Sequence, residues 1–191
     1  TSPQQVAGVL RHEVQDILSQ CCVDPALNRA LVWSLSQPGR ILNQGKRFGW
    51  SILPLLVCDW CGGAWRKATP AAAAIELWLT AGDVFDEVED HDLPGLWHEI
   101  GEAQAVNAGT TLLFLTQAAV LRLRGCGFAD SLIVSVMQEI TRAGTRSCDG
   151  QHRDLVGESL IEFTEEDYFG MTGMRSGALI ECACRVGAVL A

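Results

Sequence analysis

Residues 69–92 read TPAAAAIELWLTAGDVFDEVEDHD, and this stretch decides the fold. Thr69 suits an N-cap, Pro70 suits the first helical position, and the four alanines that follow favour helix. Apolar residues fill the next two turns, so the helix should be a core element. We expect it to run to about His91, before Pro94-Gly95 breaks it.

The second half of this helix carries acids that nothing nearby balances. Residues 68–121 contain nine acidic residues and no lysine or arginine, and nine equals the whole net charge of −9. Like charges three or four positions apart on a helix repel, and partial burial strengthens the repulsion. A shared Mg²⁺ ion would remove the conflict, and a solvated acidic face is the alternative. The acids on one face are Asp83, Asp86, Glu87 and Asp90, with Glu76 two turns earlier.

Helical periodicity continues on both sides of this helix. The sequence shows no alternation of apolar and polar residues typical of strands, no internal repeat and no linker. We therefore predict an all-α fold with one helical domain over residues 1–191. The last apolar run reaches Ala191 without a stop signal, so we expect this domain to be incomplete at its C-terminus. The other predicted helices cover about residues 2–18, 25–35, 52–61, 97–123, 129–146 and 164–191.

Composition excludes several classes of protein. Of the 191 residues, 48% are hydrophobic and 19% charged, enough for a buried core and too apolar for a disordered chain. The chain contains no uninterrupted apolar run of about 18 residues, so we do not expect a membrane span. The excess of acids argues against binding nucleic acid. The N-terminus does not resemble a secretory signal, so we expect a cytoplasmic protein.

Eight cysteines require an interpretation. A chain of this length and apolar content does not need disulfides for stability, and reduced thiols suit a cytoplasmic protein. Cys58-Asp-Trp-Cys61 has the spacing of a metal or redox motif, but no matching second half accompanies it. We therefore favour buried, reduced thiols over a structural zinc site.

A series of short motifs resembles a known family. In order and across nearly the whole chain, they are similar to motifs of the trans-isoprenyl diphosphate synthases, or polyprenyl synthetases. Among them the acidic motif of the helix above stands where that family has its first aspartate-rich motif. The matching segments are Gly45-Lys46-Arg47, Pro70–Leu77, Asp86–Asp90, Asn107-Ala108-Gly109, Gly150–Leu155, Thr164–Tyr168 and Arg175–Leu179.

The resemblance implies a fold, a reaction and an assembly. The fold is an isoprenoid-synthase-type bundle of antiparallel helices around a central apolar cavity, and the protein is a homodimer. The reaction condenses an allylic diphosphate with isopentenyl diphosphate head-to-tail. Mg²⁺ is the implied cofactor, because the leaving diphosphate needs its charge stabilised.

The resemblance also implies catalytic and metal-binding residues. Asp86 and Asp90 hold Mg²⁺, with Glu87 in the second acidic position of the motif. Arg175 and Ser176 stand where the family has Lys-Thr, and they contact the allylic diphosphate or the developing charge. The catalytic residues implied in this way are Asp86, Asp90 and Arg175.

The remaining implied residues bind the substrates. Lys46 and Arg47 hold the isopentenyl diphosphate, while Gln151 and Asp154 line the allylic side. Taken without the other motifs, Lys46-Arg47 would be the surface start of a helix. Gln151 and Asp154 alone would be polar residues of a loop.

Several positions depart from the family pattern. The second acid of the motif is Glu87, longer than aspartate, and Leu93-Pro94-Gly95 stands where the family has an arginine pair. Gly-Lys-Arg is followed by Phe48-Gly49-Trp50, and the second aspartate-rich motif is absent up to Ala191. A noncatalytic regulatory subunit of a prenyltransferase and a class I terpene cyclase therefore stay as alternatives, although Lys46-Arg47 argue against the cyclase.

The helix also bears on product length. Ala81 and Gly82, five and four positions before Asp86, are both small, so no aromatic ring blocks the cavity at this level. Trp78, one turn deeper, could form its floor, which favours a C15–C20 product. An ordinary core tryptophan is the alternative.

Overall fold

The computed structural model describes residues 2–21, 24–43, 49–157 and 164–191, which are helical and contain no strand. This confirms the predicted all-α class. The helices in chain order are α1 (Pro3–Cys21), α2 (Pro25–Leu35), α3 (Leu53–Trp60), α4 (Thr69–Glu89), α5 (Leu96–Ile100), α6 (Glu102–Leu121), α7 (Asp130–Gly157), α8 (Glu165–Thr172) and α9 (Ala178–Val189). Two 3₁₀ turns and one π-helical turn join them at Trp50–Ile52, Arg122–Cys126 and Gly173–Gly177.

Helix α4 lies at the centre of the bundle and packs lengthwise against α6. The alanines of its first turns, Ala71–Ala74, are completely buried, and their small side chains let neighbouring helices approach closely. Gly109 of α6 sits over the ring of Phe85, where a Cβ atom would be 2.9 Å from the ring. The prediction that this helix is a core element is confirmed.

Helix α6 is largely apolar. By length and composition, the stretch Glu102–Cys126 is the one described helical segment that could cross a membrane. The central helix of a bundle passes the same test, and the packing of α6 against α4 accounts for its apolar side. Burial in this bundle accounts for part of the apolar composition, while other apolar side chains of α6 are exposed.

Several helix boundaries differ from the sequence predictions. The predicted helix over 97–123 is two helices, because Gly101 adopts a φ of +94° that an α-helix cannot continue through. Thr69 is not the N-cap of α4: Ala68 holds that position, and the Thr69 hydroxyl donates to the Arg66 carbonyl at 2.8 Å.

Helix α7 is longer than its sequence predicted. It continues past Arg146 to Gly157, so Gln151 and Asp154 are helical residues and not loop residues. The start of α8 agrees with the prediction, since Thr164 and Asp167 form a reciprocal capping box. Between α8 and α9, the helix widens into a π-helical turn that the periodicity did not reveal.

The cysteines that the structure describes are all free, and Cys22 lies outside the described residues. Cys58 and Cys182 are buried, and burial raises the pKa of the Cys182 thiol to about 12. The Cys58 thiol donates to the Leu190 carbonyl at 3.6 Å, which ties α3 to the end of α9. These two thiols act as small core side chains. The prediction of mostly buried thiols was wrong for the other described cysteines, because Cys21, Cys61 and Cys148 are exposed and the rest are partly exposed.

Candidate functional site

A cleft of about 920 Å³ opens beside α4, between that helix, α7, the α8–α9 region and the turn after α2. Its lining divides into an apolar wall and a charged, polar rim. The apolar wall consists of Trp78, Leu79, Phe85, Leu113, Leu155, Met171 and Leu179. The polar rim consists of Arg40, Asp83, Asp86, Glu89, Gln151, His152, Asp154, Arg175 and Ser176.

Arginines from distant parts of the chain neutralise two acids of the α4 row. Arg40 pairs with Asp83, and its Nε lies 2.7 Å from the carboxylate. Arg175 pairs with Asp86. Both arginines are distant along the chain, so the lack of lysine and arginine near these acids in the sequence does not leave the two carboxylates unpaired.

Arg175 bridges the two sides of the cleft. Its guanidinium contacts Asp86 on α4 through Nη2 and Asp154 on α7 through Nη1. All three side chains are about one-third exposed, so solvent screens the pairs only partly. The sequence-predicted residues Asp86, Asp154 and Arg175 therefore meet at one point.

Two backbone features place Arg175 there. It lies in the π-helical turn Gly173–Gly177, a distortion frequent at functional sites. Gly150 of α7 approaches so closely that a Cβ atom on it would be 2.6 Å from the Arg175 backbone nitrogen. The Ser147 hydroxyl also donates to the Arg175 carbonyl at 3.0 Å. Glycine is thus required at position 150 for α7 and the π turn to meet.

The other acids of the motif point in different directions. Glu87 turns to the start of α5, where its Oε2 accepts from the Leu96 N–H at 2.9 Å. Asp90 is the exposed C-cap of α4. Glu89 instead lines the cleft and accepts a hydrogen bond from Gln151 Nε2 at 3.1 Å. Glu89 is not among the predicted site residues, and only its helical spacing from Asp86 indicates that it lies near the cleft.

Burial raises the pKa of two acids of the motif. Desolvation raises the pKa of Asp86, opposed by the Arg175 charge and assisted by Asp90. The pKa of Glu87 is also raised, mainly by desolvation, against the hydrogen bond from Leu96. Both carboxylates gain from a further positive charge, since burial disfavours their ionised form.

The remaining sequence-predicted residues divide into two groups. Gln151 and Ser176 line the cleft, and Gln151 Oε1 is buried without a hydrogen-bond partner among the described residues. Lys46 and Arg47 lie outside the described residues, and so does the isopentenyl diphosphate site predicted at them.

The roles of two residues in this region were not predicted from the sequence. Arg40 belongs to no motif, and nothing local indicated that it reaches the cleft. Glu76 appeared to extend the acidic face, but it is completely buried. Its Oε1 accepts from the Ile41 N–H at 2.7 Å, while Oε2 has no partner in the described part of the chain. Glu76 therefore anchors the segment after α2 to the core.

Trp78 and Gly82 lie where a floor and an open wall were predicted. Trp78 lines the cleft and faces Gly144 of α7, where a Cβ atom would be 3.4 Å from the indole. Gly82 also lines the cleft. Ala81 is instead buried in the core, so only one of the two small residues borders the cavity.

The rim suits a hard cation shared with a phosphate. Its acceptors are carboxylate and amide oxygens, including the unpartnered Gln151 Oε1, and Mg²⁺ prefers oxygen ligands. The described residues contain no group of three or more His, Cys, Asp or Glu side chains placed to hold one metal ion. Mg²⁺ commonly uses one or two carboxylates plus substrate phosphates. The site at Asp86, Glu87 and Asp90 stays a prediction.

Comparison with known proteins gives the fold a wider context. Residues 35–191 match the sequence profile of the polyprenyl synthetase family. A geranylfarnesyl diphosphate synthase from Aeropyrum pernix is 30% identical over 154 residues, 77% of this chain and 48% of that protein. A geranylgeranyl diphosphate synthase from Mycobacterium tuberculosis is 31% identical over 165 residues, 83% of this chain and 45% of that protein. The chain spans about half the length of these curated relatives.

A solved structure agrees over almost all of the chain. A geranylgeranyl pyrophosphate synthetase from the archaeon Geoglobus acetivorans superposes with a TM-score of 0.85 at 25% identity. The superposition covers 98% of this chain and 59% of that one. The helical bundle is therefore the isoprenoid-synthase fold, as the sequence motifs predicted.

Proposed function

Since this chain belongs to the polyprenyl synthetase family, we propose that the protein is a short-chain prenyltransferase. It condenses an allylic diphosphate with isopentenyl diphosphate head-to-tail. The observation that carries this proposal is the junction of Asp86, Arg175 and Asp154 at the rim of an apolar cleft. Such a cleft accommodates an isoprenoid tail, and its charged rim suits a diphosphate.

Different residues of the rim would bind the allylic diphosphate and the metal ion. Arg175 donates hydrogen bonds to the allylic diphosphate, and Asp86 and Asp154 hold its guanidinium in place beforehand. Asp86 and Asp90 would hold Mg²⁺, with Gln151 on the allylic side. A bound divalent ion supplies charge neutralisation to the departing diphosphate. Lys46 and Arg47 would bind isopentenyl diphosphate.

A direct assay tests the proposal. Full-length protein, supplied with Mg²⁺, isopentenyl diphosphate and allylic diphosphates of increasing length, should release pyrophosphate and form a longer prenyl diphosphate. Chelation of the metal should stop the reaction. No product from any allylic primer, with a known synthase active in the same buffer, would exclude a catalytic role.

One observation favours the alternative of a noncatalytic regulatory subunit. Arg40 and Arg175 already neutralise Asp83 and Asp86, so these acids need no metal ion for stability. Under this alternative the protein is inactive alone and co-purifies with a catalytic relative. Activity of the isolated protein decides against it.

Trp78 is proposed to set the product length. Its indole closes the cleft against α7, and the family logic of bulk limiting growth gives a C15–C20 product. Trp78→Ala should lengthen the main product by at least one isoprene unit, measured by chromatography of the dephosphorylated alcohols. Trp60→Ala is the matched control, because Trp60 is exposed on α3 outside the cleft. An unchanged product would make Trp78 ordinary core.

We propose that the protein forms a homodimer through α6. This helix exposes a stripe of apolar side chains, which is costly in water and typical of a contact between copies. Phe114→Glu should convert dimer to monomer in light scattering after size exclusion. Leu93→Glu, at another exposed apolar residue, should leave the mass unchanged. If the Phe114→Glu variant is still a dimer, the interface does not lie on α6. The stripe comprises Val106, Phe114 and Leu121.

A further inference from the structure

Arg40 is a cation of the cleft that belongs to none of the family motifs. Among the described residues that line the cleft, Arg40 and Arg175 are the only lysine or arginine side chains. They contact acids three positions apart on α4, Asp83 and Asp86, which is about one helical turn. The rim thus carries two guanidinium groups that contact successive turns of α4.

The backbone around Arg40 is held firmly. The Arg40 N–H donates to the Gln37 carbonyl at 3.0 Å, and the next residue, Ile41, donates to buried Glu76 at 2.7 Å. Beside it, Gly39 and Gly49 also line the cleft, and a Cβ atom on Gly49 would be 2.5 Å from the Gly39 carbonyl oxygen. The two glycines let the segments on either side of the cleft wall pack closely, and Arg40 itself lines the cleft.

The contact with Asp83 leaves much of the Arg40 donor capacity unused. Nε and Nη2 both donate to one carboxylate oxygen, Asp83 Oδ2, and Nη2 also donates to the Leu79 carbonyl at 3.3 Å. This differs from the two parallel bonds of a bidentate arginine–carboxylate pair. A diphosphate offers several oxygens to the same planar fork and carries more charge.

Burial is unequal within the pair. The Arg40 side chain is 14% exposed, whereas Asp83 is 53% exposed. An exposed carboxylate is rehydrated at little cost when a stronger anion replaces it, while a nearly buried guanidinium needs an anionic partner throughout. A diphosphate can therefore replace Asp83 as the partner of Arg40 at little cost.

We propose that Arg40 is a diphosphate-binding residue of the cleft and that Asp83 is the counter-ion which a substrate diphosphate displaces. This inference rests on the proposed function. Because Arg175 and Asp86 are assigned to the allylic diphosphate, Arg40 serves the second diphosphate, that of isopentenyl diphosphate. Asp83 acts as a positioning residue, which holds Arg40 extended into the cleft before substrate arrives.

Calorimetric titration of the full-length protein with inorganic pyrophosphate in the absence of Mg²⁺ tests this without turnover, because the allylic site proposed above needs the metal ion. Arg40→Gln should weaken binding at least about tenfold, whereas Asp83→Asn should strengthen it several-fold by removing the competing anion. Arg11→Gln is the matched control: Arg11 also bonds the segment after α2, at the Ile41 carbonyl, but does not line the cleft. It should leave pyrophosphate affinity unchanged.

The outcomes separate a structural ion pair from a binding residue. Lower melting temperatures for Arg40→Gln and Asp83→Asn, with pyrophosphate affinity unchanged in both, would overturn the proposal, as would no pyrophosphate binding by the wild type. Should Arg40→Gln fail to fold, Arg40→Lys keeps the charge but loses the fork, and weaker binding is still expected.

Kinetics distinguish this inference from the proposed function. In an active enzyme, Arg40→Gln should raise the KM for isopentenyl diphosphate and leave the KM for the allylic substrate nearly unchanged. If the variant and the wild type have the same KM for isopentenyl diphosphate, the proposed role of Arg40 is refuted. A wild type that binds pyrophosphate through Arg40 but forms no product would refute the prenyltransferase proposal alone.

Discussion

Replacement of Asp86 by alanine should lower the rate of prenyl transfer by about a hundredfold or more. Asp86 lies at the junction with Arg175, half-buried at the rim of the cleft. Asp86 would act through the Arg175 guanidinium and the Mg²⁺ ion that it holds in place, and loss of one such preorganised positive group commonly costs about 10²–10³ in rate. The variant should still fold, because Arg175 keeps Asp154 as a partner. Steady-state rates with saturating Mg²⁺ measure the loss.

Asp92→Ala is the control for Asp86→Ala. It removes one negative charge from the same acidic stretch, at an exposed residue beyond the end of α4. Its rate should stay within about twofold of the wild type, since an exposed charge at this distance is screened. Equal rates for wild type and Asp86→Ala would return the acidic row to a solvated face and remove the basis of the proposed mechanism.

Replacement of Glu76 by alanine should destabilise the fold by about 2–4 kcal/mol near pH 4.5. Glu76 is completely buried, so its truncation leaves a cavity, and the Ile41 N–H loses its acceptor. Glu76→Gln is the matched variant, because it keeps the shape and the carbonyl acceptor. Urea unfolding should show a large loss for alanine and a small change for glutamine. Equal losses would mean that the Ile41 contact contributes nothing.

The same pair of proteins should differ in pH dependence. Burial raises the pKa of Glu76 from its ordinary value of 4.5, partly offset by the Arg40 charge. The folded protein therefore keeps a proton that the unfolded chain loses above that value. The stabilisation is present at low pH and is lost as pH rises through the folded pKa. As pH rises through this range, the free energy of unfolding of Glu76→Gln should increase relative to that of the wild type. If the two free energies change with pH in parallel, Glu76 is not protonated in the folded protein.

Local patterns were sufficient to predict some elements of this protein. The alanine run and Pro70 predicted α4, and the spacing of Thr164 and Asp167 predicted a capping box, because these features depend on residues within one or two turns. The order of the motifs indicated the family and hence the bundle. Helix α7 was predicted too short because its second half is polar, and the approach of Gly150 to Arg175, not periodicity, brings that part into the bundle.

The sequence alone determined the helical class, the central helix and the acidic row that borders the cleft. Tertiary structure alone decided which of these acids are paired. Arg40 and Asp83 are 43 positions apart, and Arg175 and Asp86 are 89 apart. Helical periodicity extends over only a few residues, so it cannot indicate which charges the packing of separate helices brings together. For the same reason, Glu76 could be placed on the acidic face by spacing, but only the packed core shows that it is buried.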